Sequence, residues 1–149
     1  MSSTTNPSPP RWLKQMNKLV LAMGRLGVPA GPSQVLTVPG RKSGQPRSTP
    51  MTPFDHDGGL YTVAGYPGAD WAANARAAGV GTLTRGRRSR RVRIVELSAA
   101  ESRPVLRAFA REVPVGVGFA KRSGLVVDGT PDEFEALAGR LAVFRFDPA

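Results

Sequence analysis

The sequence predicts an α+β domain: a small open barrel of mostly antiparallel strands with helices inserted among them. Two basic hairpins, over residues 34–54 and 80–97, supply the antiparallel pairs, and the segments with helical spacing fall between strands without a regular βαβ alternation. At 149 residues and 40% hydrophobic content the chain is long enough for one domain with its own core, and it contains no internal repeat.

Residues 1–10 are rich in Ser, Thr and Pro and read as a disordered arm ahead of a single domain spanning 11–149. Trp12, Leu13, Met16, Leu19, Val20, Met23 and Leu26 then recur at helical spacing, with Lys14, Lys18 and Arg25 at other positions. A stripe of this width is expected to pack on its own domain, and a peripheral membrane contact is the alternative. A breaker run over 28–32 leads into a strand at 34–38, a basic turn and a second strand near 48–54. Pro50 and Pro53 cannot donate to a ladder, so that strand belongs at an edge or is interrupted. Residues 55–59 form a turn and 60–64 another strand. His56, the only histidine, lacks a second His or Cys with which to share a metal, so a loop-tip residue and no metal site are expected.

The G-Y-P-G-A run at 65–69 breaks the pattern, Asp70 reads as the N-cap of a short helix over 71–78, and Gly79 ends it. Strands at 80–84 and 90–97 flank a tip in which six arginines fall within residues 85–93. Alternation sets Arg91 and Arg93 on one face and Val92 and Ile94 on the other. Ser98 and Glu101 match a capping box, and Val105, Leu106, Phe109 and Val113 share a buried helical face. Pro104 either kinks that helix or confines its regular part to Val105 onward. Thr130, Pro131 and Glu133 open a further short helix, and 141–146 close as a strand.

The basic turn carries the clearest chemical signal. Arg41, Lys42 and Arg47 supply charge-assisted donors, Ser43 a hydroxyl, and Gly40 and Gly44 allow close backbone approach, a set suited to a phosphate or carboxylate; a plain solvated turn is the alternative. The formal charge of +10 is uneven, because every charged residue before Asp55 is cationic. Such a field attracts nucleic acid, anionic lipid or a polyanionic cofactor without choosing among them. The arginine hairpin lacks interleaved aromatics and no helix-turn-helix is evident, so nucleic acid ranks low. With no cysteine, disulfides and thiolate metal sites are excluded, which suits a reducing cytoplasm. No signal peptide and no run of 18 apolar residues is evident, so a chain that at most touches a membrane is expected. Arg41 stands where a Walker loop needs glycine before its lysine, and neither 79–81 nor 116–118 completes a dinucleotide fingerprint. One histidine and no cysteine leave little material for nucleophilic or acid-base catalysis, so a bound cofactor is expected to carry any chemistry.

The run G-R-K-S-G-Q-P-R-S-T-P-M over 40–51, followed by Gly65, Tyr66, Asp70, Trp71 and Asn74, resembles the deazaflavin (coenzyme F420)-dependent nitroreductase and quinone reductase family of actinobacteria. The likeness spans roughly residues 12–97, with a looser match at 142–146. It implies a split β-barrel of the FMN-binding, pyridoxamine-phosphate-oxidase-like type with F420 in a basic groove. It assigns Arg41, Lys42, Ser43, Gly44 and Arg47 to the cofactor's phosphate and polyglutamate tail. Thr49, Pro50, Met51, Gly65 and Tyr66 then lie against the ring, with Trp71 and Asn74 near the same pocket. Trp71 is equally expected as a core anchor and Asn74 as a helix-surface or cap residue. The implied activity is hydride transfer from reduced deazaflavin to a quinone, a nitro compound or an unsaturated lipid-like acceptor, completed by a solvent proton or by Tyr66, the candidate proton donor or substrate contact. Family members that reduce quinones and nitroaromatics carry tyrosines toward the C-terminus, whereas this chain has only Tyr61 and Tyr66, and its 66–79 segment looks closer to a branch associated with lipid-like ligands. The alternatives are a non-catalytic binder of F420 or fatty acid, an FMN-binding reductase and, ranked lowest, a nucleic-acid-binding domain. Related barrels often pair as dimers, so the resemblance allows a homodimer, but no feature of the sequence fixes the assembly.

Overall fold

In the computed structural model the described residues are 33–149; the arm and amphipathic helix expected over 1–26 lie outside them. The first hairpin joins β1 (Gln34–Pro39) to β2 (Pro46–Met51) in antiparallel register, with Val38 opposite Arg47 and Leu36 opposite Thr49. The second strand is interrupted, as its prolines require. Pairing stops at Met51, and β3 (Phe54–His56) starts a new hairpin with β4 (Gly59–Val63). The arginine hairpin is β5 (Val80–Arg85) and β6 (Arg88–Glu96), and the last strand, β7 (Val143–Pro148), lies between β6 and β4.

The seven strands order as β2-β1-β5-β6-β7-β4-β3, every pair antiparallel. Thus β2 and β3 are the two edges of the sheet, although only Thr52 and Pro53 separate them in the chain. Three Cα steps span at most about 11 Å, so the sheet must curl until its edges face one another. This is the open barrel, and Pro50 sits on an edge strand, where its missing N–H costs no ladder bond.

Four helices occur among the described residues. On α1 (Asp70–Ala78) the N-cap is Ala69, one residue before the expected Asp70, and no side chain caps it; Gly79 closes the helix with φ +72°. Asp70 stands at the first helical position instead, its exposed carboxylate 3.4 Å from Arg41 Nη2. In α2 (Ala99–Glu112) the capping box forms as expected: Ser98 Oγ accepts from the Glu101 N–H at 3.2 Å and Glu101 Oε1 from the Ser98 N–H at 2.8 Å. The helix runs through Pro104 and is not confined to Val105 onward, since the cap anchors the turn ahead of the proline and Val105, Leu106 and Phe109 bury behind it. α3 (Pro114–Arg122) carries no clear sequence signal, whereas α4 (Pro131–Glu135) starts at its expected Thr130 cap.

Two apolar clusters fill the molecule. Ala69, Ala72 and Ala75 of the α1 segment press small side chains against Leu36, Leu83, Ile94 and Phe144 on the sheet. On the other side Phe109 of α2 lies 5.9 Å from Phe54 and 5.3 Å from Phe134, ring centre to ring centre, tying β3 and α4 to the helical layer. Each fully buried ring of this size contributes roughly 1.5–3 kcal/mol. Among the described residues no helix is long and apolar enough to cross a membrane.

Candidate functional site

The basic turn is held by its own backbone. Gly40 N–H donates to the Gln45 carbonyl at 2.8 Å, Gly44 N–H to the Gly40 carbonyl at 2.9 Å, and Gln45 N–H to Ser43 Oγ at 3.2 Å. Gly44 takes φ +74°, a conformation that costs glycine little. Gly40 is buried, and a Cβ there would lie 3.0 Å from Ser43 Oγ and 3.3 Å from Arg47 Nε. Ser43 and Arg47 therefore converge over Gly40, with Lys42 exposed beside them. Directly opposed residues share a sheet face, so Arg47 and Thr49 lie on the side of Val38 and Leu36, and alternation adds Met51. A row of three side chains thus leads from the turn along the inner edge of β2.

Arg41 faces elsewhere. Its backbone N–H donates to Asn74 Oδ1 at 3.0 Å, and its Nη1 to the same oxygen at 2.7 Å. Nη1 and Nη2 also approach the Asp70 carbonyl and Oδ1, both at 3.4 Å. Asn74 is buried on α1.

At the end of the row lies a cavity of about 450 Å³. Thr49, Pro50, Met51, Gly65, Tyr66 and Trp71 line it, so six of the residues singled out in the sequence meet there. Arg41, Lys42, Ser43, Gly44, Arg47 and Asn74 do not line it; they form the turn or hold it. Trp71 has both expected roles, lining the cavity and packing on Phe144 with ring centres 5.5 Å apart. Gly65 admits a neighbouring ring, because a Cβ there would come within 3.0 Å of Phe119. Burial, and after it the carboxylate of Asp70 at the rim, push the Tyr66 phenol above its ordinary value, so it is a protonated donor at neutral pH.

The opposite wall escaped the sequence reading. Val115, Gly116, Phe119, Ala120 and Arg122 of α3 line it together with Val113 and Leu125. Two glycines in nine residues hide that helix, and the alternating V-x-V-x-F run imitates a strand, so Pro114 at its first position was the one weak local hint. The arginines of the β5–β6 hairpin are exposed and none lines the cavity. Arg91 donates to Thr82 Oγ1 at 3.3 Å on the outer face.

A family model described as F420H2-dependent quinone reductase matches residues 13–124. No curated protein matches the chain. Among solved structures, one described as a domain-swapped dimer is 21% identical, covers 94% of this chain and 100% of its own, and superposes with a TM-score of 0.52. A putative pyridoxamine 5'-phosphate oxidase from Listeria innocua is 14% identical over 89% of this chain and 93% of its own, with a TM-score of 0.50. At these identities the likeness is one of fold: the curled seven-stranded sheet is a split barrel of the pyridoxamine-phosphate-oxidase type.

Proposed function

The chain belongs to the F420H2-dependent quinone reductase family and is a reductase whose cofactor is coenzyme F420; from that premise we propose that the basic turn holds the cofactor's anionic tail while the adjoining cavity takes a lipophilic acceptor. The continuity of the two carries this reading. Arg47, Thr49 and Met51 run on one face of β2 from a cationic cradle into a cavity whose far wall is mostly aliphatic and aromatic, with Arg122 the charged residue on it. The residues fit the group: Lys42, Ser43, the Gly44 backbone and Arg47 are the right donors for phosphate and carboxylate, and the buried Gly40 keeps their cradle open. A cavity of about 450 Å³ lies in the range of small-molecule sites.

When bound, the reduced deazaflavin supplies a hydride to an electrophilic centre of the acceptor. This chain's own residues position and insulate. The Thr49-Pro50-Met51 backbone and the Gly65-Tyr66 loop would bear on the ring system, with Trp71 beside them. Val113, Phe119 and Leu125 keep water from the acceptor's side, which strengthens the polar contacts that remain. The Tyr66 phenol, protonated at neutral pH, holds a proton for the heteroatom on which negative charge develops. Quinones, nitroaromatics and unsaturated lipid-like molecules share the needed pairing of an apolar body with an electron-poor centre. The description of one fold relative as a domain-swapped dimer supports a homodimer as the assembly.

The test is a fluorescence titration with F420 and with FMN side by side, followed by turnover of reduced F420 against one acceptor from each class. Micromolar binding of F420 in preference to FMN, and oxidation of reduced F420 by a lipophilic acceptor, are expected. Failure to bind F420 in low salt overturns the tail site, and binding without turnover of any acceptor overturns the cavity's role.

A further inference from the structure

We propose that Arg41 is a positioning residue: it fastens the basic turn to α1 through Asn74 and Asp70, and leaves the anionic tail to Lys42, Ser43 and Arg47. This rests on the reading that the turn binds that tail. One oxygen, Asn74 Oδ1, accepts from both the backbone N–H of Arg41 at 3.0 Å and its guanidinium at 2.7 Å. The main chain of the turn is fixed by the same contact as the side chain. Asp70 and Asn74 are four residues apart, so they share one face of α1, and Arg41 lies against that face. Asn74 is 8% exposed, and its oxygen would lose the shorter of its two donors, keeping only the backbone N–H, were the Arg41 side chain to swing toward a ligand.

The arrangement also accounts for the spacing of the sequence. The G-R-K-S-G run and the D-W-x-x-N run are two halves of one contact, although they lie some 30 residues apart. Lys42, Ser43 and Arg47 have no comparable tie to α1: Ser43 Oγ closes the turn, and Arg47 stands over Gly40. Through Asp70, Arg41 further reaches the rim of the acceptor cavity, where that carboxylate also acts on Tyr66. The residue thus sets the distance between the two halves of the site.

The experiment is a double-mutant cycle on the full chain: Arg41→Ala, Asn74→Ala and the double variant, with Arg47→Ala as the reference for a tail contact. Dissociation constants are read by fluorescence with F420 carrying short and long polyglutamate tails, and melting temperatures are recorded alongside. Arg41→Ala, which removes the guanidinium bond and keeps the backbone one, is expected to weaken binding by about tenfold, Asn74→Ala, which removes both, by at least as much, and the double change by no more than Asn74→Ala alone. The loss at Arg41 should be the same for both tail lengths, while the loss at Arg47 grows with the longer tail. Arg41→Lys, which keeps the charge but not the fork, should behave like the alanine variant. Losses that multiply in the double variant, a loss at Arg41 that grows with tail length, or full affinity in Arg41→Lys would each make Arg41 a tail ligand and overturn the proposal. A lower melting temperature with unchanged affinity would reduce it to a fold contact and overturn it equally. Should an alanine variant fail to fold, Arg41→Lys and Asn74→Ser carry the same cycle. Wild-type protein that binds no F420 overturns the tail site itself, a result distinct from binding with multiplying losses.

Discussion

Tyr66 combines three properties that a proton donor needs: it lines the cavity, it is partly buried, and the neighbouring Asp70 carboxylate opposes its ionisation. If it delivers a proton to the reduced acceptor, Tyr66→Phe should lower kcat by roughly a hundredfold, the lower range for a lost general acid, with F420 affinity unchanged. Stopped-flow oxidation of reduced F420 at saturating acceptor reads this directly, and unchanged kcat would leave Tyr66 a wall residue. A second side chain makes a pH prediction independent of any ligand. Glu133 accepts the backbone N–H groups of Val127, Asp128, Gly129 and Thr130 at 2.7, 3.0, 2.7 and 3.1 Å, and these bonds hold its carboxyl down from 4.5 to about 2. A depressed carboxyl favours the folded state above its unfolded value, and that contribution is lost as pH falls from about 4.5 toward about 2. Glu133→Gln should therefore lower the melting temperature at pH 7 and flatten the acid limb of stability in that window. An acid limb identical to wild type would show that the loop bonds contribute nothing. The capping half of this role was legible, because Thr130 and Glu133 have the box spacing. The loop half was not, since nothing local in residues 127–129 announces that they fold back onto a carboxylate.

The elements divide according to whether their signals are local. The caps of α2 and α4 and the two basic hairpins could be read in the chain, because each depends on residues a few positions apart. The helix α3 could not, since glycine weakens helical propensity and its reason for being there is long-range. Gly116 on α3 faces Phe109 on α2 so closely that a Cβ would collide with the ring's Cζ, and Phe109 is itself wedged between Phe54 and Phe134. The glycine thus sets how near α3 comes to α2 and with it the width of the cavity that Gly116 lines. Gly116→Ala should cost about 1–3 kcal/mol of stability through overpacking and raise KM for the acceptor, with the affinity for F420 retained. Denaturant titration and acceptor kinetics on one preparation check both parts, and unaltered stability would mean that the two helices part freely. The split between β2 and β3 was half legible: Pro50 and Pro53 announced an edge or a break, and the structure has both. That the two strands would become opposite edges of one curled sheet depends on the β6–β7–β4 pairing, which no short window contains.

At the scale of the whole molecule the barrel and its charge meet at one seam. The α+β class followed from hairpins with helices between them, but strand order came from tertiary packing, and only that order brings the basic turn to the cavity through the inner row of β2. The sequence likewise disclosed the cations without their division of labour, since Arg41 and Lys42 are neighbours in the chain yet only Arg41 is tied to α1. The site consequently has two halves held by different forces, and added salt should separate them. The tail half is exposed and cationic, and ions at 1 M shorten the reach of its field to about 3 Å from about 10 Å at 0.1 M. Two or three exposed pairs at roughly 0.2–1 kcal/mol each amount to about 1–2 kcal/mol, so the F420 dissociation constant should rise by about tenfold over that range. The acceptor half binds by burial of apolar surface, which sulfate and similar salts strengthen by exclusion from the surface. In sodium sulfate, KM for a lipophilic acceptor at saturating F420 should hold or fall while cofactor affinity drops. Measured on the wild-type chain at several salt concentrations, parallel weakening of both ligands would mean that the cavity recognises charge and that the two halves are one electrostatic site. Opposite slopes are the outcome that this barrel's layout requires.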